Sequence, residues 1–222
     1  MSANPGAVRR DLFNESYAQN AHPIAEGATL LHGFAAGAAP ALLLAIDEIV
    51  AAAPLRHMIT PGGYRMSVAM TNCGAAGWVS DRSGYRYDTR DPLTGKPWPV
   101  MPGIFSDLAR RAAAAGGFGN FEPDACLINR YEPGARLTLH QDKNERDYTA
   151  PIVSVSLGLP AVFLFGALRR KERPQRMRLQ SGDVAVWGGP TRLAHHGVAP
   201  LADGDDPLTG RCRYNLTFRT AL

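Results

Sequence analysis

Cysteine is scarce in this chain: 222 residues include three, Cys73, Cys126 and Cys212, an odd number with no C-x-x-C pairing. That count and spacing argue against a disulfide framework and against a cysteine-rich structural zinc site, and a reducing compartment is expected. Long apolar runs are also missing. The longest, residues 41–53, carries Asp47 and Glu48 and is shorter than the roughly 20 apolar residues a spanning helix needs. Arg9-Arg10 leads into Asp11-Leu-Phe-Asn-Glu15 rather than an apolar stretch, so no export signal is expected. The protein is therefore expected to be cytoplasmic, monomeric and without a membrane partner. Neither sign of charge dominates. A net charge of +4 and an isoelectric point near 9.1 suit a polyanionic partner without establishing one. There is no repeat, low-complexity tract or convincing linker. The expectation is a polar, loosely packed lead-in over 1–26 and a single domain over 27–222.

What is present is a short helical portion followed by a long strand-like one. Residues 41–53 are rich in helix formers, Pro40 suits a first helical position, and Pro54 stops the run. A second helix is expected over 104–115, ending at Gly116-Gly117. Between them, 60–102 is rich in Gly, Pro, Tyr and Trp and reads as hairpins and loops forming one wall of a site. From Ala125 onward strands are expected at 127–131, 136–140, 152–159, 161–166, 176–180, 183–187 and 211–219, separated by turns such as Pro133-Gly134 and Ser181-Gly182. The fold class is thus mainly β with flanking helices, arranged as a sandwich or jelly-roll barrel.

The chemistry concentrates in three places. His140-Gln-Asp142 puts an imidazole and a carboxylate on one face of an extended strand, because side chains alternate with period two. His195-His196 lies 53 residues past Asp142, far enough for a later strand to return across a barrel. One imidazole from that pair would complete a facial triad with open positions, the arrangement of Fe(II) oxygenases. His196 is the preferred ligand, and His195, pointing to the opposite face, serves better as a wall. Catalytic zinc could use the same three ligands. The last strand breaks the tie: Arg213, Asn215, Thr217 and Arg219 share one face, and Cys212, Tyr214, Leu216 and Phe218 the other. Such a strand could simply be half-buried with its polar face in water. Two guanidiniums with Asn and Thr between them could instead line a cavity for a dicarboxylate, with Asn129 and Tyr131 donating to the same ligand. A dicarboxylate with a metal-chelating keto group, 2-oxoglutarate, satisfies the set.

Taken together, Thr60-Pro-Gly-Gly-Tyr64, Met66-Ser-Val-Ala-Met-Thr-Asn-Cys-Gly74, Pro123-Asp-Ala-Cys-Leu-Ile-Asn-Arg-Tyr131, His140-Gln-Asp142, Val186-Trp-Gly-Gly189 and Arg213–Arg219 resemble the bacterial AlkB family. These are Fe(II)- and 2-oxoglutarate-dependent dioxygenases that repair alkylated nucleic acid. The resemblance runs from about Leu30 to Arg219. It implies a double-stranded β-helix (jelly roll) core at about 125–219 under an N-terminal nucleotide-recognition lid at about 55–102. It implies Fe(II) held by His140, Asp142 and His196, with O2 as the oxidant. It assigns Arg213, Asn215 and Tyr131 to the distal carboxylate of 2-oxoglutarate, and Arg219 with Asn129 to the metal-proximal end. Trp78 and His140 would sandwich a flipped base near Met66 and Met70. Tyr85, Arg136, Gln141, Lys143 and Arg170 match the family's contacts to the substrate strand. The implied reaction is oxidative demethylation of 1-methyladenine and 3-methylcytosine in single-stranded or damaged DNA, and also in RNA. The alternatives are hydroxylation of a protein or small molecule and a non-catalytic methylated-base reader. One departure stands out: the family's acidic residue facing the exocyclic amine of the base corresponds to Asn144. Its oxygen can still accept that amine's hydrogen bond, without the full charge that favours a cationic base.

Overall fold

The computed structural model describes residues 20–222. In chain order its elements are β1 (Ala21–Ala25), β2 (Ala28–Leu31), α1 (Ala39–Ala52), β3 (Ala69–Gly74), β4 (Gly77–Asp81), β5 (Gly84–Asp88), α2 (Gly103–Ala115), β6 (Ala125–Tyr131), β7 (Leu137–His140), β8 (Ile152–Gly158), β9 (Ala161–Phe165), β10 (Gln175–Leu179), β11 (Val184–Trp187), β12 (His196–Val198) and β13 (Arg213–Arg219). Seven strands form a large sheet in the order β1-β2-β11-β8-β13-β6-β3, and four form a small one in the order β10-β9-β12-β7. The two sheets make the jelly roll. β4 and β5 form a separate hairpin.

Both helices pack on one face of the large sheet. α1 buries Leu42, Ala45, Ile46 and Ile49, the one-stripe spacing of a surface helix, and α2 buries Phe105, Leu108, Ala109, Ala112 and Ala113. They meet Val153, Val155, Val184, Val186, Leu216 and Phe218 in one core cluster, where Phe105 and Phe218 sit edge to face with centroids 5.9 Å apart. Each such fully buried aliphatic or aromatic side chain contributes roughly 1.5–3 kcal/mol. A second cluster lies toward the small sheet and includes Leu127, Tyr131, Phe163, Phe165, Leu179 and Trp187. The alternation of β13 thus divides one strand between two environments. Leu216 and Phe218 face the helices; Arg213, Asn215, Thr217 and Arg219 face a cavity toward the small sheet. The polar face of β13 is not in water: its four side chains are at most 6% exposed, because the small sheet lies across the cavity they line.

Three expectations change. Residues 21–25, read from sequence as part of a loose lead-in over 1–26, form β1 on β2; residues 1–19 of that segment lie outside the described residues. Pro23 is tolerated because an edge strand needs no ladder bond on its outer side. Within the region read as hairpins and loops, β3 joins the large sheet beside β6, so only part of 55–102 stands apart from the core. β12 was not anticipated, since three residues carry no periodicity of their own. Among the described residues, no helix is long and apolar enough to cross a membrane.

Candidate active site

β7 ends at His140 and β12 begins at His196, and the two strands pair antiparallel with these residues directly opposite each other. That register closes the sequence gap between them. The ring centroids are 4.4 Å apart. Gly197 makes the approach possible, because a Cβ there would lie 2.6 Å from the Leu137 carbonyl oxygen. Asp142, just beyond β7, completes the cluster: its Oδ1 is 3.7 Å from His140 Nε2 and its Oδ2 is 3.6 Å from His196 Nε2. One potential ligand atom from each residue lies within 4.8 Å of the others. His140 Nδ1 faces the Thr138 carbonyl at 2.8 Å and His196 Nδ1 faces the Ala194 carbonyl at 3.0 Å. A carbonyl only accepts, so each Nδ1 carries a proton, and each Nε2 is the ring nitrogen facing the shared centre. Two imidazoles and a carboxylate with open positions are the donor set that suits Fe(II), and the residues present fit that ion.

The electrostatics keep these donors ready. The pKa of His140 is lowered to about 4, first by burial and then by the neighbouring His196. Asp142 is held well below the usual carboxylate range: burial opposes this, but Arg219 and then His196 outweigh it. The sign for stability follows from His140. An unfolded histidine takes up a proton near pH 6.5, whereas the folded one resists until about pH 4. Its contribution is therefore complete above about pH 6.5 and lost as pH falls through about 4. NMR titration of His140 in the metal-free protein should give a midpoint near 4, with melting temperature declining between those two pH values. A midpoint at the ordinary histidine value would remove this account.

Farther along β13, Arg213 is 1% exposed. Its Nε donates to Ser156 Oγ at 3.0 Å, and its guanidinium lies over the Tyr131 ring, 4.8 Å from the centroid. No acidic group among the described residues pairs with it, and Nη1 lacks a hydrogen-bond partner, as do Tyr131 Oη and Asn129 Oδ1. Burial depresses the Arg213 pKa and pushes Tyr131 up to about 12. Asn215 donates to Ser154 Oγ and accepts from Asn129 and Thr217. A buried cation without a counter-charge, beside unpartnered polar atoms, fits one end of a small dianion.

Arg219 differs. Its Nε and Nη2 both donate to Asp142 Oδ2, at 3.0 and 2.5 Å, and its Nε lies 3.3 Å from Glu145 Oε1. Burial works against the charge, yet Asp142, Tyr87 and Glu145 hold the Arg219 pKa above its usual value. Glu145 also pairs with Arg192 at 3.2 Å and accepts from the Tyr87 hydroxyl at 2.8 Å. The reading from sequence missed Tyr87, Glu145 and Arg192. Nothing in the spacing of these three residues signals a buried charge network.

The cavity holding these groups measures about 480 Å³, within the range of small-molecule sites. His140, Asp142, His196, Asn129, Tyr131, Arg213, Asn215 and Arg219 all line it. Trp78, Tyr85, Met66, Met70, Gln141, Lys143, Asn144 and Arg170 line it as well. Arg136 does not. It is exposed at the start of the β7 segment, and its backbone exchanges hydrogen bonds with Ser67. Missing from the sequence-based set are Trp187 and Phe163, whose rings pack on His196 with centroids 4.9 and 6.3 Å away. His195 lines the wall and turns Nδ1 to the Ala167 carbonyl. At the mouth, one face of Trp78 stacks on Tyr85 at 5.6 Å. The Trp78 indole donates to Asn144 Oδ1 at 3.1 Å, and Asn144 Nδ2 donates to the Tyr85 carbonyl at 3.3 Å. The acceptor expected to meet the amine of a base is thus engaged by the tryptophan.

Comparison with known proteins agrees with this geometry. Residues 27–219 match the family model described as the 2OG-Fe(II) oxygenase superfamily. The chain is 58% identical over 211 residues to the alpha-ketoglutarate-dependent dioxygenase AlkB of Salmonella typhimurium, covering 95% of this chain and 97% of that protein. It is 58% identical over 199 residues to the protein of the same name from Escherichia coli K12, covering 90% and 92%. Among solved structures, that of OsALKBH1 superimposes with a TM-score of 0.79 at 28% identity, covering 90% of this chain and 99% of that one. The chain therefore belongs to the 2OG-Fe(II) oxygenase superfamily and, within it, to the bacterial AlkB family of alpha-ketoglutarate-dependent dioxygenases.

Proposed function

We propose that the protein oxidatively demethylates N-alkylated bases, 1-methyladenine and 3-methylcytosine, in single-stranded DNA and in RNA. The observation that carries this reading is one cavity uniting the His140, Asp142 and His196 cluster with the buried, acid-free Arg213 and with an aromatic mouth at Trp78. His140, Asp142 and His196 hold Fe(II). Arg213, with Asn215 and Tyr131, takes the distal carboxylate of 2-oxoglutarate, and Asn129 and Arg219 lie toward the metal end. Arg219 also holds Asp142 in its ligating orientation through two donors on one oxygen. Fe(II), with 2-oxoglutarate and O2 bound, supplies the oxidation that turns an N-methyl group into N-hydroxymethyl; succinate and CO2 leave, and the hydroxymethyl base then releases formaldehyde.

A base stacked in a strand cannot present its methyl group to the cluster, so it is flipped into the cavity. Trp78 receives its face, an interaction worth roughly 1–3 kcal/mol per base, and its ring further attracts a cationic methylated base. Met66 and Met70 line the apolar part of the pocket. Lys143, Gln141 and Arg170 also line the cavity, and in this reading they contact the flanking strand.

The deciding experiment incubates oligonucleotides carrying 1-methyladenine, 3-methylcytosine, 1-methylguanine or 3-methylthymine with protein, Fe(II), 2-oxoglutarate and ascorbate. Mass spectrometry follows the base, with formaldehyde and succinate measured alongside. Equal yields of repaired base, formaldehyde and succinate are expected, and none without 2-oxoglutarate; formaldehyde release that persisted in its absence would end the proposal. The same panel tests Asn144. Asn144→Asp restores a charge at the mouth and is expected to raise the preference for the two cationic lesions over the two neutral ones by about tenfold. That corresponds to about 1.4 kcal/mol, a modest part of what two charges in contact gain near a protein surface. An unchanged ratio would show that Asn144 acts only through Trp78.

A further inference from the structure

Between residues 169 and 178 the chain carries six cations, Arg169, Arg170, Lys171, Arg173, Arg176 and Arg178, against the single acid Glu172. The whole chain has a net charge of only +4, so outside this segment it is close to neutral. The mild basicity is therefore local, concentrated on the β9–β10 hairpin. All six cations are exposed, and none forms an ion pair among the described residues.

Their placement has a direction. Arg170 lines the cavity beside Lys143 and Asn144, and the loop cations Arg169, Lys171 and Arg173 surround it in the chain. Arg176 and Arg178 follow on β10, the outer strand of the small sheet. Met177 packs against the inner cluster and Leu179 is part of it, so period-two alternation turns Arg176 and Arg178 outward. Two residues along an antiparallel strand separate them by about 7 Å. Edge strands often carry charge to discourage pairing with another chain, but that requirement stops where the strand stops. Here four of the six cations lie in the turn between β9 and β10, and the run reaches the cavity at Arg170.

We propose that the β9–β10 hairpin is a docking surface for the sugar–phosphate backbone of the strand flanking the base in the cavity, with Arg173, Arg176 and Arg178 taking phosphates beyond those at the mouth. This rests on the nucleic-acid reading above. Guanidiniums suit phosphate oxygens, and contacts of this kind carry affinity without reading sequence. The surface gives the enzyme a grip on a long strand whatever bases flank the lesion.

The test uses the full chain and the triple variant Arg173→Gln/Arg176→Gln/Arg178→Gln, none of whose side chains lines the cavity. Fluorescence anisotropy measures binding of an unmethylated single-stranded dodecanucleotide as salt is varied. Demethylation is measured on a methylated trinucleotide and a methylated dodecanucleotide. Each single-strand phosphate neutralised contributes about −0.7 to the slope of log K against log salt, so three lost contacts reduce its magnitude by about 2. Dodecanucleotide affinity at low salt is expected to fall at least about tenfold, trinucleotide turnover to stay within about twofold, and the corresponding Arg→Lys triple variant to recover the slope. An unchanged slope overturns the proposal, including where the Gln variant self-associates, since the cations would then serve only to guard the edge. Absence of trinucleotide turnover in the unsubstituted protein would instead count against the demethylase reading, and the slope would still report on the hairpin.

Discussion

Arg213→Met is expected to raise the melting temperature of the ligand-free protein while abolishing its response to 2-oxoglutarate. The guanidinium is buried, and Ser156 Oγ and the Tyr131 ring are its only close partners among the interactions described above. Burying an unpaired charge costs several kcal/mol even after relaxation, and methionine fills most of the same volume without that cost. For a chain of this length each kcal/mol moves the midpoint by about 2–4 °C, so a rise of roughly 5 °C is expected. The unsubstituted protein should gain about 2.7 kcal/mol from 2-oxoglutarate at about a hundred times its Kd, a shift of roughly 5–10 °C; the variant should show none. Truncating one side of a buried charge pair costs roughly 2–5 kcal/mol in binding, so KM for 2-oxoglutarate should rise on the order of a hundredfold or more. Differential scanning fluorimetry with and without 2-oxoglutarate reads both effects without turnover. A variant that melted lower and kept the ligand shift would show that Arg213 is a structural cation.

Glu145→Gln works in the opposite direction. The Glu145 side chain is 1% exposed and stands between Arg192 and Arg219, with Tyr87 donating to it. Glutamine keeps the shape and removes the charge, leaving two buried guanidiniums of which only Arg219 keeps an ion pair among the described residues, with Asp142. Breaking a buried pair in this way costs about 3–5 kcal/mol, so the melting temperature should fall by roughly 10 °C. Tyr87→Phe removes one hydrogen bond and leaves the charges matched, for about 1–3 kcal/mol. The exposed pair of Arg130 and Glu132, 2.7 Å apart, is the control: Glu132→Gln should change stability by less than about 1 kcal/mol. Equal effects of Glu145→Gln and Glu132→Gln would mean that solvent reaches the network. Because Tyr87 belongs to the β4–β5 hairpin that also carries Trp78 and Tyr85, the same network ties the mouth of the cavity to Arg219 and hence to Asp142.

Much of the site was legible in local pattern. The H-x-D spacing put His140 and Asp142 on one face, alternation preferred His196 to His195, and the same alternation separated Arg213, Asn215, Thr217 and Arg219 from Leu216 and Phe218. The strand ends in the second half shifted by only a residue or two. The N-terminal strands were harder. Ala21–Ala25 and Ala28–Leu31 carry little alternation, and what joins them to the large sheet is the pairing of β2 with β11, some 150 residues away.

The sequence by itself determined which residues share a face, because backbone periodicity is a local property of covalent geometry. It also determined the inventory of the site: two imidazoles, a carboxylate and two guanidiniums. Only the tertiary structure decided what each face meets. The polar side of β13 is buried because the small sheet closes over the cavity it faces. His196 lies opposite His140 because β12 pairs in that register and Gly197 leaves room for it. Two arginines that look equivalent in the chain are opposites in space: Arg219 is matched by Asp142 and Glu145, while Arg213 is left without an acid. Charge pairing depends on distances between strands far apart in sequence, and no local pattern encodes those distances.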